Sequence, residues 1–126
     1  MYQAHLLLRP GTDFTLQAAG ERLARKMPGF TFERTDAALS LFTNDWEIHL
    51  TMNSGPEVLA DSARVAEHVA GQVDGLDIAS INRRVEIESE FPDPEMDHFG
   101  DYQTIIETLQ SFQGVIAVDP TEPSLL

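Results

Sequence analysis

The chain has 126 residues, 42% hydrophobic and 23% charged, with no cysteine. That size supports a core without disulfides or a structural metal, and the missing thiols exclude thiolate zinc sites, iron–sulfur clusters and a cysteine nucleophile. The formal net charge of −13 disfavours nucleic acid and anionic membranes as partners, since both are held through clustered Lys and Arg.

Residues 2 to 9 (YQAHLLLR) alternate as a strand, with Tyr2, Ala4, Leu6 and Leu8 on one face and Gln3, His5, Leu7 and Arg9 on the other; Pro10 and Gly11 close it. No apolar run approaches the roughly 20 residues of a membrane span, and this opening lacks the basic start and apolar stretch of a signal peptide. The expected location is therefore the cytoplasm. From Asp13 to Met27 the spacing of Leu16, Ala19, Leu23, Ala24 and Met27 predicts an amphipathic helix, capped by Thr12 or Asp13 and stopped at Pro28 and Gly29.

Residues 30 to 36 and 37 to 43 are β-like, either as two strands or as one long bent strand. The turn chemistry of Asn44 and Asp45 predicts a hairpin into 45 to 53, where Trp46, Ile48, Leu50 and Met52 alternate with Glu47, His49, Thr51 and Asn53. Ser54 to Glu57 has the form of a capping box and opens a helix from about Pro56 to Ala70. Its expected inner side is Leu59, Ser62, Ala63, Ala66, Val69 and Val73.

A connection over 71 to 82 leads to a strand at 83 to 91, with Val85, Ile87 and Phe91 inward and Arg84, Glu86, Glu88 and Glu90 outward. Pro92 and Pro94 end it. A helix follows from about Asp97, its cap, to Gln113, with an apolar stripe of Phe99, Tyr102, Ile105, Ile106, Leu109 and Phe112 that must pack within the chain. Residues 115 to 118 read as a short strand.

The element order predicts an α+β fold: an antiparallel sheet with a split βαβ (ferredoxin-like) core, two helices on one face, and an added C-terminal helix and short strand. The expected domain spans 1–118, with 119–126 as a frayed tail. In that topology the first strand and the 45 to 53 strand form the central pair, making His5 and His49 neighbours on the open face beside Glu86. Two imidazoles and a carboxylate so placed suit a weak metal site or acid–base chemistry. Topology alone supports that grouping, so no metal, cofactor or catalytic residue is assigned.

Charge is distributed unevenly. Residues 1 to 84 have a net charge of −3, whereas 85 to 126 contain no Lys or Arg and have a net charge of −10. The run 92 to 102 resembles a calcium loop only in its alternating carboxylates; the EF-hand glycine and bidentate glutamate positions are not met. No G-x-S-x-G, H-E-x-x-H, Walker or G-x-G-x-x-G pattern is present.

The leading expectation is a non-catalytic acidic module that binds a basic protein, as an immunity or antidote protein masks a cationic toxin. Its expected contacts are Glu86, Glu88, Glu90, Asp93, Glu95, Asp97 and Asp101, on a monomer or homodimer. The alternatives are a small-molecule or metal-binding domain on the open sheet face, or a small enzyme using the histidines and glutamates as acid and base.

Overall fold

A computed structural model describes residues 2–69, 78–121 and 124–126. Among these residues seven strands, β1 (Tyr2–Leu8), β2 (Thr31–Arg34), β3 (Ala38–Phe42), β4 (Glu47–Asn53), β5 (Arg84–Ser89), β6 (Val115–Asp119) and β7 (Ser124–Leu125), form one antiparallel sheet. Their spatial order is β2-β3-β4-β5-β1-β6-β7. Among the described residues the helices α1 (Leu16–Lys26), α2 (Pro56–His68) and α3 (Phe99–Gln110) pack around it. The fold is α+β, and no helix among the described residues is long and apolar enough to cross a membrane.

The strand order corrects the expected split βαβ core. β5 lies between β1 and β4, pairing Ala4 with Ile87 on one side and Leu50 with Ile87 on the other. The first strand and the β4 strand are therefore not a central pair. Period-two alternation explains the error: it fixes which face each side chain takes but not which strand lies alongside. Residues 30 to 43 form two strands, β2 and β3, with Glu33 opposite Ser40.

One sheet face presents Ala4, Leu6 and Leu8 together with Leu39, Leu41, Ile48, Leu50, Val85 and Ile87, and it holds the main core. α1 covers it with Leu16, Ala19 and Leu23, and α3 with Ile105, Ile106 and Leu109. The C-terminal helix thus completes the core, as its stripe required. On the opposite face Leu7 packs with Val65, Ala66 and Val69 of the α2 region and with Ile78, Ile81 and Val118. The two predicted helices therefore lie on opposite faces, and α2 hides Leu7 from water, an effect worth about 2 kcal/mol for a leucine.

Helix boundaries also differ from expectation. Thr15, not Thr12 or Asp13, caps α1 by accepting from the Ala18 amide. Asp13 instead accepts from the Gln113 amide at 2.8 Å, and Thr12 donates to the Gln113 carbonyl, tying the start of α1 to the end of α3. Gly114 makes this junction possible: its φ is +73° and Thr12 approaches so closely that a Cβ would stand 3.2 Å from its Cα.

α2 has Gly55 as its cap with no side-chain bond, so the Ser54 capping box does not form. Val58, Ser62, Val65 and Ala66 face inward, while Leu59 is 47% exposed. The expected Val73 falls outside the described residues. α3 starts at Phe99 after His98, and Asp97 is exposed rather than a cap. Ser124 and Leu125 pair with Asp119 and Val118, so the segment read as a frayed tail contributes a strand.

Candidate functional site

β5 divides the face that the sequence assigns to His5 and His49. His5 pairs across to Glu86 and His49 to Glu88, on opposite sides of the strand. His5, His49 and Glu86 are not brought together, and no group of three or more metal-capable side chains occurs among the described residues.

The carboxylates nominated from the sequence separate into two sets. Glu86 belongs to a network under α2: Arg84, whose side chain is only 7% exposed, reaches Glu86 and Asp61 at 2.8 Å each. Asn53 donates to both Glu86 and Glu57 and accepts from the Gly55 amide. Partial burial opposes the charge on Glu86, but the hydrogen bonds from Asn53 and Arg84 outweigh it and hold its pKa below the ordinary value. Burial, and then Arg84, hold the pKa of neighbouring His5 down. This network attaches α2 to the sheet.

Asp93 and Asp101 serve the loop before α3. Asp93 accepts from the Asp97 and His98 amides at 3.0 Å and from the Tyr2 hydroxyl. Desolvation works against its charge, yet these donors keep its pKa low. Burial, followed by the adjacent Asp93, pushes the Tyr2 phenol up to about 12. His98 Nδ1 contacts Asp101 at 3.0 Å and its Nε2 contacts Asp45 at 3.3 Å. Tyr2 also stacks on Tyr102, with centroids 4.9 Å apart, anchoring β1 to α3.

The remaining nominated groups, Glu88, Glu90, Glu95 and Asp97, are exposed. Among the described residues they form no side-chain ion pair or hydrogen bond. β4 and β5 run side by side, so Glu88 lies opposite His49. Within and beside this acidic stretch Phe91 is 41% exposed and Met96 57% exposed, and Phe99 also reaches solvent.

A third grouping, absent from the sequence reading, lies on the solvent side of β3 and β4. Ser40 Oγ meets His49 Nδ1 at 2.8 Å, and His49 Nε2 lies 3.4 Å from Glu47. The order hydroxyl, imidazole, carboxylate is that of an activated nucleophile. His49 and Glu47 are 42% and 38% exposed, however, so water competes for each contact and the chain reads as cross-strand surface bonding. Only the pairing register could have revealed it, because Ser40 and His49 face each other across the hairpin. The exposure of Phe91 was hidden for a different reason, since alternation alone places it inward.

No family model, curated protein or solved structure matches the chain.

Proposed function

We propose that this protein is a non-catalytic interaction module that binds a basic protein through Glu88, Glu90, Glu95 and Asp97. The observation that carries the reading is the exposure of Phe91 and Met96 in the same stretch of sequence as carboxylates that have no side-chain ion pair or hydrogen bond among the described residues. An acidic surface alone serves solubility. Exposed aromatic and Met side chains from the same stretch of chain add the desolvatable anchors that characterise interface centres, while the carboxylates supply steering and selectivity. Glu86, Asp93 and Asp101 leave the contact set, because their oxygens are committed to Arg84, Asn53, Tyr2, backbone amides and His98. A single domain that masks a cationic surface, in the manner of an immunity protein, fits this division.

The test is capture from the native lysate at low and moderate salt, identification of the retained protein, and association kinetics with that protein once purified. A basic partner should bind with a rate that falls with salt, and Glu88→Lys with Glu90→Lys should slow association about tenfold while leaving the melting temperature in place. Met96→Ala should speed dissociation. Failure to retain any basic protein at low salt rejects the proposal.

A further inference from the structure

A cavity of about 690 Å³ lies between α1 and α3, and three of the chain's eight basic residues line it. Arg22, Arg25 and Lys26 follow the i, i+3, i+4 spacing of one helix face. The facing wall is Thr104, Glu107 and Thr108 on α3, with Ser111 just beyond its end. Such a concentration of cations is unexpected in a chain with a net charge of −13. Interaction with the macrodipole accounts for Arg25 and Lys26 in the last turn of α1, but not for the opposing polar wall or the open volume between them.

Arg22 is held in place. Its guanidinium lies 3.7 Å from the Phe112 ring centroid and donates to Ser111 Oγ at 3.0 Å, while Asp13 stands 4.0 Å away. A planar fork so fixed retains donors for an anion and loses little freedom on binding. The α3 wall has the opposite character. Thr104, Thr108 and Ser111 donate their hydroxyl protons to the carbonyls of Gly100, Thr104 and Thr108; Ser111 Oγ already accepts from Arg22 and Thr108 is buried, so the half-buried Thr104 is the hydroxyl that offers lone pairs to the groove. Glu107 likewise only accepts when ionised.

One wall therefore takes an anion, and the other takes hydrogen-bond donors. A bare anion would meet repulsion from Glu107, and a neutral polyol would leave three cations unmatched. The lining carries three positive charges and one negative, a net of +2, which a phosphate monoester matches with its charge of roughly −1.5 to −2 at neutral pH. We propose that the α1–α3 groove binds a small phosphorylated polyol, with the phosphate on Arg22, Arg25 and Lys26 and the hydroxyl groups donating to Glu107 and Thr104. The volume falls in the range of small-molecule sites. This assignment is independent of the acidic surface around Phe91.

The experiment is calorimetric titration of the full chain with glucose 6-phosphate, inorganic phosphate and glucose, with phosphoinositide vesicles as a fourth arm. Glucose 6-phosphate should bind about tenfold more tightly than inorganic phosphate, and glucose should not bind. The double variant Arg25→Glu, Lys26→Glu should weaken the ester about 100-fold. Glu107→Gln should instead strengthen inorganic phosphate about threefold, a gain that misfolding cannot produce. Absence of ester binding, or equal affinity in the double variant, overturns the proposal. Binding to phosphoinositide vesicles without binding to the soluble ester also overturns it, by moving the ligand to a lipid headgroup.

Discussion

The imidazole of His98 lies flat on the indole of Trp46, with centroids 4.8 Å apart and planes 3° from parallel. Trp46 is fully buried at the start of the core alternation, so this stack joins the loop before α3 to the hairpin between β3 and β4. Asp45 in that hairpin and Asp101 in α3 hold the two ring nitrogens. An imidazolium over an indole also gains cation–π attraction.

This contact predicts a pH dependence of stability. Desolvation opposes the charge on His98, but its hydrogen bond to Asp101 and the charges of Asp45, Asp101 and Asp93 prevail and raise its pKa above 6.5. A raised folded-state pKa means the stabilisation is complete below about pH 6.5 and is lost as pH rises through the folded value. His5 has the opposite sign: its pKa is lowered, so acidification below about pH 6.5 costs stability. Melting temperatures between pH 5.5 and 9 should therefore show that His98→Gln removes a loss on the alkaline side. His5→Gln should remove one on the acid side. An alkaline limb unchanged by His98→Gln would refute the stack as a titrating contact.

Arg84 is the second test of the fold. Its side chain is almost fully enclosed, but Asp61 and Glu86 are about one-third exposed, so the cost of removing the cation is reduced from that of a fully buried pair. Arg84→Met should cost about 2 kcal/mol in urea unfolding. Arg84→Lys should recover only part of this, because one ammonium cannot reproduce the Nε, Nη1 and Nη2 contacts to two carboxylates. Equal stability of Arg84→Met and the wild type would show that α2 is held by Leu7 and its apolar neighbours alone.

The helix caps separate sequence pattern from structure. Thr15→Ala should cost about 1 kcal/mol, because its hydroxyl satisfies the Ala18 amide. Ser54→Ala should change stability by less than about 0.5 kcal/mol, since no side chain caps α2. Chemical denaturation of both variants distinguishes the observed caps from those suggested by the sequence.

The strands with clean alternation, β1, β4 and β5, were legible because burial of one face dictates where Leu6, Ile48 and Ile87 point. α3 was legible because its stripe had to be covered. Strand order was not, because Ala4, Ile87 and Leu50 satisfy the same pattern whether β5 is central or at an edge. α2 was misjudged in rotation: with Leu59, Val58, Val65 and Ala66 all apolar, several stripes were available, and contact with Leu7 selected the one containing Val65. At the candidate site, sequence located the carboxylates but could not separate them, because which ones are committed depends on Arg84, Tyr2 and His98 arriving from other elements.

That separation gives the sharpest prediction. Glu86 and Glu88 sit two residues apart on one strand face, but Glu86 accepts from Arg84 and Asn53, whereas Glu88 has no such donor among the described residues. Glu86→Lys places a second cation against Arg84 and frees Asn53, so it should destabilise the fold by about 2 kcal/mol. Glu88→Lys removes like-charge repulsion from Glu86 and Glu90 at alternate positions, so stability should stay within about 0.5 kcal/mol or rise. With a basic partner, the order reverses: Glu88→Lys should slow association and flatten its salt dependence, while refolded Glu86→Lys at permissive temperature should associate at nearly the wild-type rate. Paired melts and association kinetics read both effects. If Glu88→Lys binds as rapidly as wild type at low salt, the exposed carboxylates are not the contact surface, and their charge serves solubility alone.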